Sequence, residues 1–178
     1  MHLKRRKIKS EFGVSYKFKT NITVSAVSWM SERYAYIMMI REKWWNEFRR
    51  LNRAGKTVHS YVRKGPAAPK EANLIFFYVV KPVGEIQGYA EFQERLFGDA
   101  EEIWKKYGHE TCLESEDAYY ELLNGWQKVT FIRFKNLQET TKPIPLNNLL
   151  TILRTDKIGR NGFYKNKGFA DKLIKMME

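Results

Sequence analysis

Tyr34-Ala-Tyr-Ile-Met-Met-Ile40, Lys56-Thr-Val-His-Ser-Tyr-Val-Arg-Lys64 and Leu74-Ile-Phe-Phe-Tyr-Val-Val-Lys-Pro-Val-Gly84 follow one another in the chain. The first is an uncharged run too short for a core helix and reads as a buried strand. Between it and the second, Glu42 to Ala54 carries Trp44, Trp45, Phe48 and Leu51 at helical spacing. Those aromatics at that spacing read as core. Arg49, Arg50 and Arg53 stand near the end of this helix, where cations suit the macrodipole, and Gly55 stands where a C-terminal cap is favoured. Lys56 to Arg63 follows as a second strand. Ala72 to Val80 is the most apolar strand and reads as central. Lys81-Pro82 ends it and Gly84 turns it.

Beyond this run, Glu85 to Phe92 reads as a returning strand, with Gly88 marking a bulge or a close backbone approach. Asp99 to Tyr107 reads as a short helix stopped by Gly108. Ser115 can cap another helix, which carries Glu116 and Asp117 in its first turn and ends near Gly125. Gln127 to Leu137 alternates basic and apolar residues and reads as a strand. Pro143 and Pro145 are expected to break the chain there. Leu146 to Leu153 and Phe169 to Met177 read as helices, on either side of a polar, glycine-rich basic loop, Asp156 to Gly168. Near the start, Ile22 to Val27 alternates like a half-buried strand. About six strands joined by short links, with helices only at some connections, do not suit a doubly wound parallel sheet. A mixed β-barrel with helices on its outside fits.

The chain of 178 residues is 43% hydrophobic and 15% aromatic, which calls for a folded core. Lys and Arg number 32 against 20 acids, a net charge of +12. Such an excess, interleaved with aromatics, suits phosphates and bases together. Seven of the first twenty residues are Lys or Arg, against the single acid Glu11. Cys112 stands alone, so an internal disulfide is impossible and a cysteine-rich metal site is excluded. His2, His59 and His109 have no zinc spacing, and neither a metal nor another cofactor is expected. No long apolar run gives a signal peptide or a membrane span, so a cytoplasmic location and no membrane partner are expected. Gly55-Lys56-Thr57 looks like the end of a P-loop. The earlier glycine that such a loop needs is absent, and the helix precedes the motif instead of following it.

The order strand, helix, Gly-Lys-Thr strand and Phe77-Tyr78-x-x-x-Pro82 strand resembles the small β-barrels of the PUA-like superfamily. Within it, the chain is similar to ASCH domains and to uncharacterised archaeal proteins related to them. ASCH domains lead a helix into Gly-x-Lys-Thr-x-Glu-x-Arg, which opens a cleft-lining strand. Here Gly55 directly precedes Lys56 and Thr57, His59 falls at the family's Glu, and Tyr61 falls at its Arg. Lys56 and Thr57 carry over and the Glu-Arg pair does not. Arg63, two residues on, shares the strand face of Tyr61 and can supply the missing charge. Arg41 matches a basic residue that such domains place beside the cleft. The archaeal relatives are similar in Tyr107-Gly108, Glu114 to Tyr120, Trp126 to Phe134 and Lys142-Pro-Ile-Pro145.

The resemblance implies an α+β, PUA-like (ASCH-type) small mixed β-barrel with peripheral helices over residues 34–146. A basic N-terminal extension (1–33) precedes it and a C-terminal helical extension (147–178) follows. It also implies binding of RNA, or of a modified nucleotide, in a basic cleft without chemistry. Arg41, Lys56, Arg63 and Lys64 would meet phosphates. Tyr61 or Trp126 would stack on a base, His59 would hydrogen-bond one, and Thr57 carries over with Lys56. One alternative is an amidohydrolase acting on an acylated nucleoside, but the catalytic threonine of such relatives falls on His59. Another is nonspecific binding of duplex DNA by the basic N-terminal arm.

Overall fold

The computed structural model describes residues 32–178. The expected basic arm and the strand at Ile22 to Val27 lie outside the described residues. Strand β1 (Ala35–Ile40) is buried along its whole length. Helix α1 (Glu42–Arg53) buries Trp45 and Phe48. Gly55 then turns the chain at φ +93°, and the Lys56 N–H closes back on the Leu51 carbonyl at 3.0 Å. This glycine-capped end launches β2 (Val58–Lys64). β3 (Leu74–Val79) and β4 (Glu85–Asp99) form an antiparallel pair, with Gly84 at φ +71° in the connection.

Helix α2 (Ala100–Tyr107) starts under an Asp99 cap that accepts the Glu101 and Glu102 N–H groups. A single 3-10 turn (Gly108–Glu110) follows. The Ser115 hydroxyl accepts the Ala118 N–H at the start of α3 (Glu116–Leu123), as the sequence indicates. Strand β5 (Lys128–Pro145), helix α4 (Leu146–Leu153), a short β6 (Phe163–Lys165) and α5 (Lys167–Met177) complete the chain.

The strands form one mixed six-stranded sheet in the order β2-β5-β4-β3-β1-β6. β1 and β3 are parallel, and the other neighbours are antiparallel. The α+β class stands, but the expected closed barrel is corrected to a sheet that hydrogen bonds leave open, with β2 and β6 at its edges. Physically, β6 pairs only with Ala35, Tyr36 and Ile37, so the second half of β1 has no strand beyond it on that side.

Three further expectations change. β4 runs on to Asp99, and β5 continues through Pro143 to Pro145 instead of breaking. β2 pairs with β5 only as far as Lys135, so the later half of β5 has a free outer side, where proline costs no ladder hydrogen bond. β6 lies within the segment expected to be loop and has only three residues, too few to display an alternating pattern.

Three apolar clusters hold these layers. On one face, Trp45 and Phe48 of α1 pack with Met38, Tyr61, Phe77 and Phe134. On the other, Leu149 of α4 and Ala170 and Leu173 of α5 cover Ile37, Phe76, Ile86 and Ile144. At the far end of β4 and β5, Ile103 of α2 and Tyr119 and Leu123 of α3 pack on Val62, Val129 and Phe131. Asn52 Nδ2 donates to the Leu137 carbonyl at 3.1 Å, and Arg49 and Arg53 both bond Glu139, which fixes α1 across β5.

Gly88 is both a bulge and a close approach. The β4–β5 register shifts between Ile86 and Gly88, and a Cβ at Gly88 would lie 2.3 Å from the Gln138 carbonyl oxygen and 2.7 Å from the Trp45 ring. Gly88→Ala is expected to lower stability by about 1–3 kcal/mol through overpacking of backbone and indole. Urea unfolding measures this, and an unchanged midpoint would mean that the approach of α1 is not tight.

Candidate nucleic-acid interface

β2 carries Tyr61 and Arg63 on one side and Val62 and Lys64 on the other, and it is an edge strand. Its last residues face Arg41 and Trp44, at the start of α1, and Cys112 and Leu113, just after the 3-10 turn. Together these line a cleft of about 430 Å³. Four expected site residues, Arg41, Tyr61, Arg63 and Lys64, therefore meet in one place. Arg41, Arg63 and Lys64 are exposed, and no acidic residue is among those lining the cleft. Tyr61 is only 9% exposed, so it offers an edge and its hydroxyl rather than a free face. Its ring meets Phe48 edge-on at 6.0 Å, and the Arg63 guanidinium lies 5.8 Å from its centroid. Burial, which outweighs the nearby Arg63, raises its phenol above the ordinary value.

The other expected residues take different positions. Lys56 Nζ donates to the Thr111 carbonyl at 2.8 Å, so it braces the wall behind the cleft. Burial holds its ammonium below the ordinary lysine value. Thr57 is exposed and does not line the cleft. Trp126 is 52% exposed, and its ring covers Gly65, where a Cβ would come within 2.8 Å of it.

His59 is fully buried. Its ring stacks on Phe134 at 5.4 Å and meets Phe48 edge-on at 5.6 Å. Neither nitrogen has a well-formed hydrogen bond among the described residues. Contact between His59 and a base is thus corrected: Tyr61, not His59, reaches the cleft from this strand face, because α1 lies over His59.

Sequence reasoning missed two features. Trp44 packs against the core, as its spacing indicates, but it also lines the cleft, and Lys43 Nζ sits 4.2 Å from its ring centroid. Its spacing from Arg41, one helical turn earlier, was the available signal. The second is an ionic joint. Glu110, just 6% exposed, accepts from the Ser60 hydroxyl and from Arg133 Nε, each at 2.7 Å. Arg133 also bonds Glu94 and lies over the Tyr107 ring at 4.6 Å. Burial alone would raise the Glu110 carboxyl, but the bonds from Arg133 and Ser60 prevail and hold it below the carboxylate range. Cys112, in the cleft wall, is pushed up to about 12 by burial and stays a thiol at neutral pH. No group of three or more metal-ligating side chains occurs among the described residues, and no described helix is long and apolar enough to cross a membrane.

Burial, and next the Lys56 ammonium, lower His59 from 6.5 to about 4. The folded state therefore binds its proton more weakly than the unfolded state does. The resulting stability is fully present above pH 6.5 and is lost as pH falls toward 4, an effect on the order of 3 kcal/mol. Denaturant unfolding across that window is expected to show the loss, and His59→Leu is expected to flatten it. A variant that kept the full slope would assign the loss to other groups.

No family model matches the chain. It is 31% identical over 132 residues to an ASCH domain-containing ribonuclease of Zymomonas mobilis, a match covering 74% of this chain and 87% of that protein. The fold is similar to the crystal structure of ASCH from Zymomonas mobilis, with a TM-score of 0.63 and 24% identity over 83% of this chain and 98% of that one. A serine-to-alanine variant of the same ASCH protein gives a TM-score of 0.65 at 23% identity, over 83% and 99% of the two chains. With a relative above 30% identity matched over most of its length, the chain belongs to the ASCH domain family.

Proposed function

We propose that this protein binds single-stranded RNA in the cleft along β2. The observation that carries the reading is the convergence of Arg41, Arg63 and Lys64, without a lining acid, on a cavity that also presents Trp44 and the edge of Tyr61. Cations neutralise the backbone and release counterions. A half-exposed indole gives a base an apolar surface, and stacking of this kind contributes roughly 1–3 kcal/mol per base. The ASCH ribonuclease relative supports RNA as the polyanion. Duplex DNA is the competing partner. It fits less well, because a concave cleft reaches unstacked bases and the edges of a duplex lie inside its grooves.

Arg41→Ala combined with Arg63→Ala is expected to weaken single-stranded RNA binding tenfold or more, about 1.4 kcal/mol or above, while leaving the unfolding midpoint in place. Fluorescence anisotropy at several salt concentrations, with duplex DNA as competitor, measures it. Wild-type affinity in the double variant would remove RNA from this cleft.

A second reading is cleavage of the bound strand, favoured by the name of the Zymomonas relative. Lys56, lowered by burial, is closer to neutral than an ordinary lysine, and proton transfer to a bound strand would require it to leave the Thr111 carbonyl and turn into the cleft. End-labelled RNA that stays intact on prolonged incubation with the protein would reject cleavage and leave binding standing. Should cleavage occur, Lys56→Met is expected to abolish it with affinity kept within about threefold, the range of a brace that carries no phosphate contact.

A further inference from the structure

A second cavity, of about 260 Å³, lies beside the first. Tyr36 and Met38 of β1 form its floor, with Ile132 of β5. Arg63 closes one side, and Arg160 and Asn161, from the loop before β6, close another. Arg63 lines both cavities, so the two lie on either side of one side chain.

The walls of this cavity are built rather than incidental. The loop that carries Arg160 is seated on β1 through Gly162, where a Cβ would lie 2.4 Å from the Ile37 carbonyl oxygen and 2.5 Å from the Tyr36 ring. No side chain fits there, so glycine lets the loop approach and aims its preceding residues over β1. Tyr164, two residues on, meets Tyr36 edge-on at 5.0 Å, and its hydroxyl accepts the Lys70 N–H at 2.8 Å. The opposite wall, Pro66 to Ala68, is fixed to β5: Thr130 Oγ1 donates to the Gly65 carbonyl at 2.7 Å and accepts the Ala67 N–H at 3.1 Å.

Two guanidinium groups thus face one concave space with no carboxylate in its lining. Like charges brought together on a surface of this kind repel, and an anion between them relieves the repulsion. The planar fork of arginine suits phosphate oxygens.

We infer that this cavity is a second subsite for the same RNA strand, holding a phosphodiester between Arg160 and Arg63 while the neighbouring nucleotide occupies the β2 cleft. The inference rests on the RNA reading above. It assigns the Gly162 loop a part in binding that no feature of the Lys-Thr strand supplies. It also sets a minimum ligand length: a strand must extend past Arg63 to engage both cavities.

The test compares a dinucleotide with a decanucleotide of single-stranded RNA, titrated by anisotropy over a range of salt, on wild type, Arg160→Ala and Lys172→Ala. Arg160 and Lys172 are both exposed, and Lys172 lies on α5 outside both cavities, so it controls for the loss of one positive charge. Arg160→Ala is expected to weaken the decanucleotide about tenfold and reduce its salt slope by about one. Dinucleotide affinity is expected to stay unchanged, and Lys172→Ala to alter neither ligand by more than about twofold. If Arg160→Ala behaves as Lys172→Ala does, or weakens both lengths equally, the second subsite is overturned while RNA binding in the first cleft survives. If wild type binds neither ligand, the RNA reading fails and the subsite fails with it.

Discussion

The carboxylate of Glu110 is the joint on which the cleft depends. It lies in a 3-10 turn, a short element with little stability of its own. Ser60 of β2 and Arg133 of β5 grip it from two adjacent strands. The turn in turn presents the Thr111 carbonyl that Lys56 binds, and next to it Cys112 and Leu113 of the cleft wall. Taking one partner from a buried pair leaves an uncompensated charge, at about 3–5 kcal/mol. Glu110 therefore holds the wall of the cleft at a fixed distance from the strand that supplies its cations. Lys56, the residue most suggestive of a ligand contact in sequence, works on the same joint from the other side.

The second constraint is the incomplete closure of the sheet. β4 and β5 are 15 and 18 residues long, and their register shifts at three points. Bulges of this kind bend strands and increase their twist. β2 and β1 come to line the second cavity without pairing with each other, as Arg63 from one strand and Tyr36, Met38 and Met39 from the other show. An unpaired seam leaves backbone polar groups exposed and would invite another strand. Here the Gly162 loop, the Pro66 to Ala68 segment and the start of α1 stand around it. A closed barrel would fill that space with its own hydrogen bonds. The open one leaves there two neighbouring cavities that share Arg63.

The elements with strong local signals were legible in the sequence. The uncharged run at β1, the aromatic face of α1 with its glycine end, the Asp99 and Ser115 caps and the apolar β3 all stand where their residues place them. Gly88 was legible as an anomaly before its two neighbours, Gln138 and Trp45, were known. What failed needed tertiary context. The prolines of β5 read as a break because local rules cannot see that the outer side of the strand is unpaired there. The resemblance offered His59 to a base, and a strand pattern alone does not reveal that α1 covers that end of the strand. Arg41, Tyr61, Arg63 and Lys64, singled out by the resemblance and by spacing along one strand, line a single cleft, and their part in binding stays a proposal. The Glu110–Arg133 pair was invisible, since nothing in the neighbourhood of Glu110 marks it as buried or Arg133 as its partner.

The distribution of charge shows how so modest a cleft could draw a polyanion. Seven of the 32 cations and one of the 20 acids stand in the first twenty residues, so half of the +12 excess belongs to the N-terminal stretch. Over the described residues, many acids are spent on cations of the helices and the sheet: Glu139 on Arg49 and Arg53, Glu110 and Glu94 on Arg133, Glu101 on Lys105, Asp171 on Lys167. Arg41, Arg63, Lys64 and Arg160 have no such partner among the described residues, and they are the ones that border the seam. Exposed pairs elsewhere add little stability and cancel the field around them. Field lines from unpaired cations at a concave, low-dielectric surface are focused instead. The local sum of charge at the seam, rather than the net charge of the chain, is what a phosphate backbone would meet, and the Trp44 indole beside it would offer a base an apolar surface.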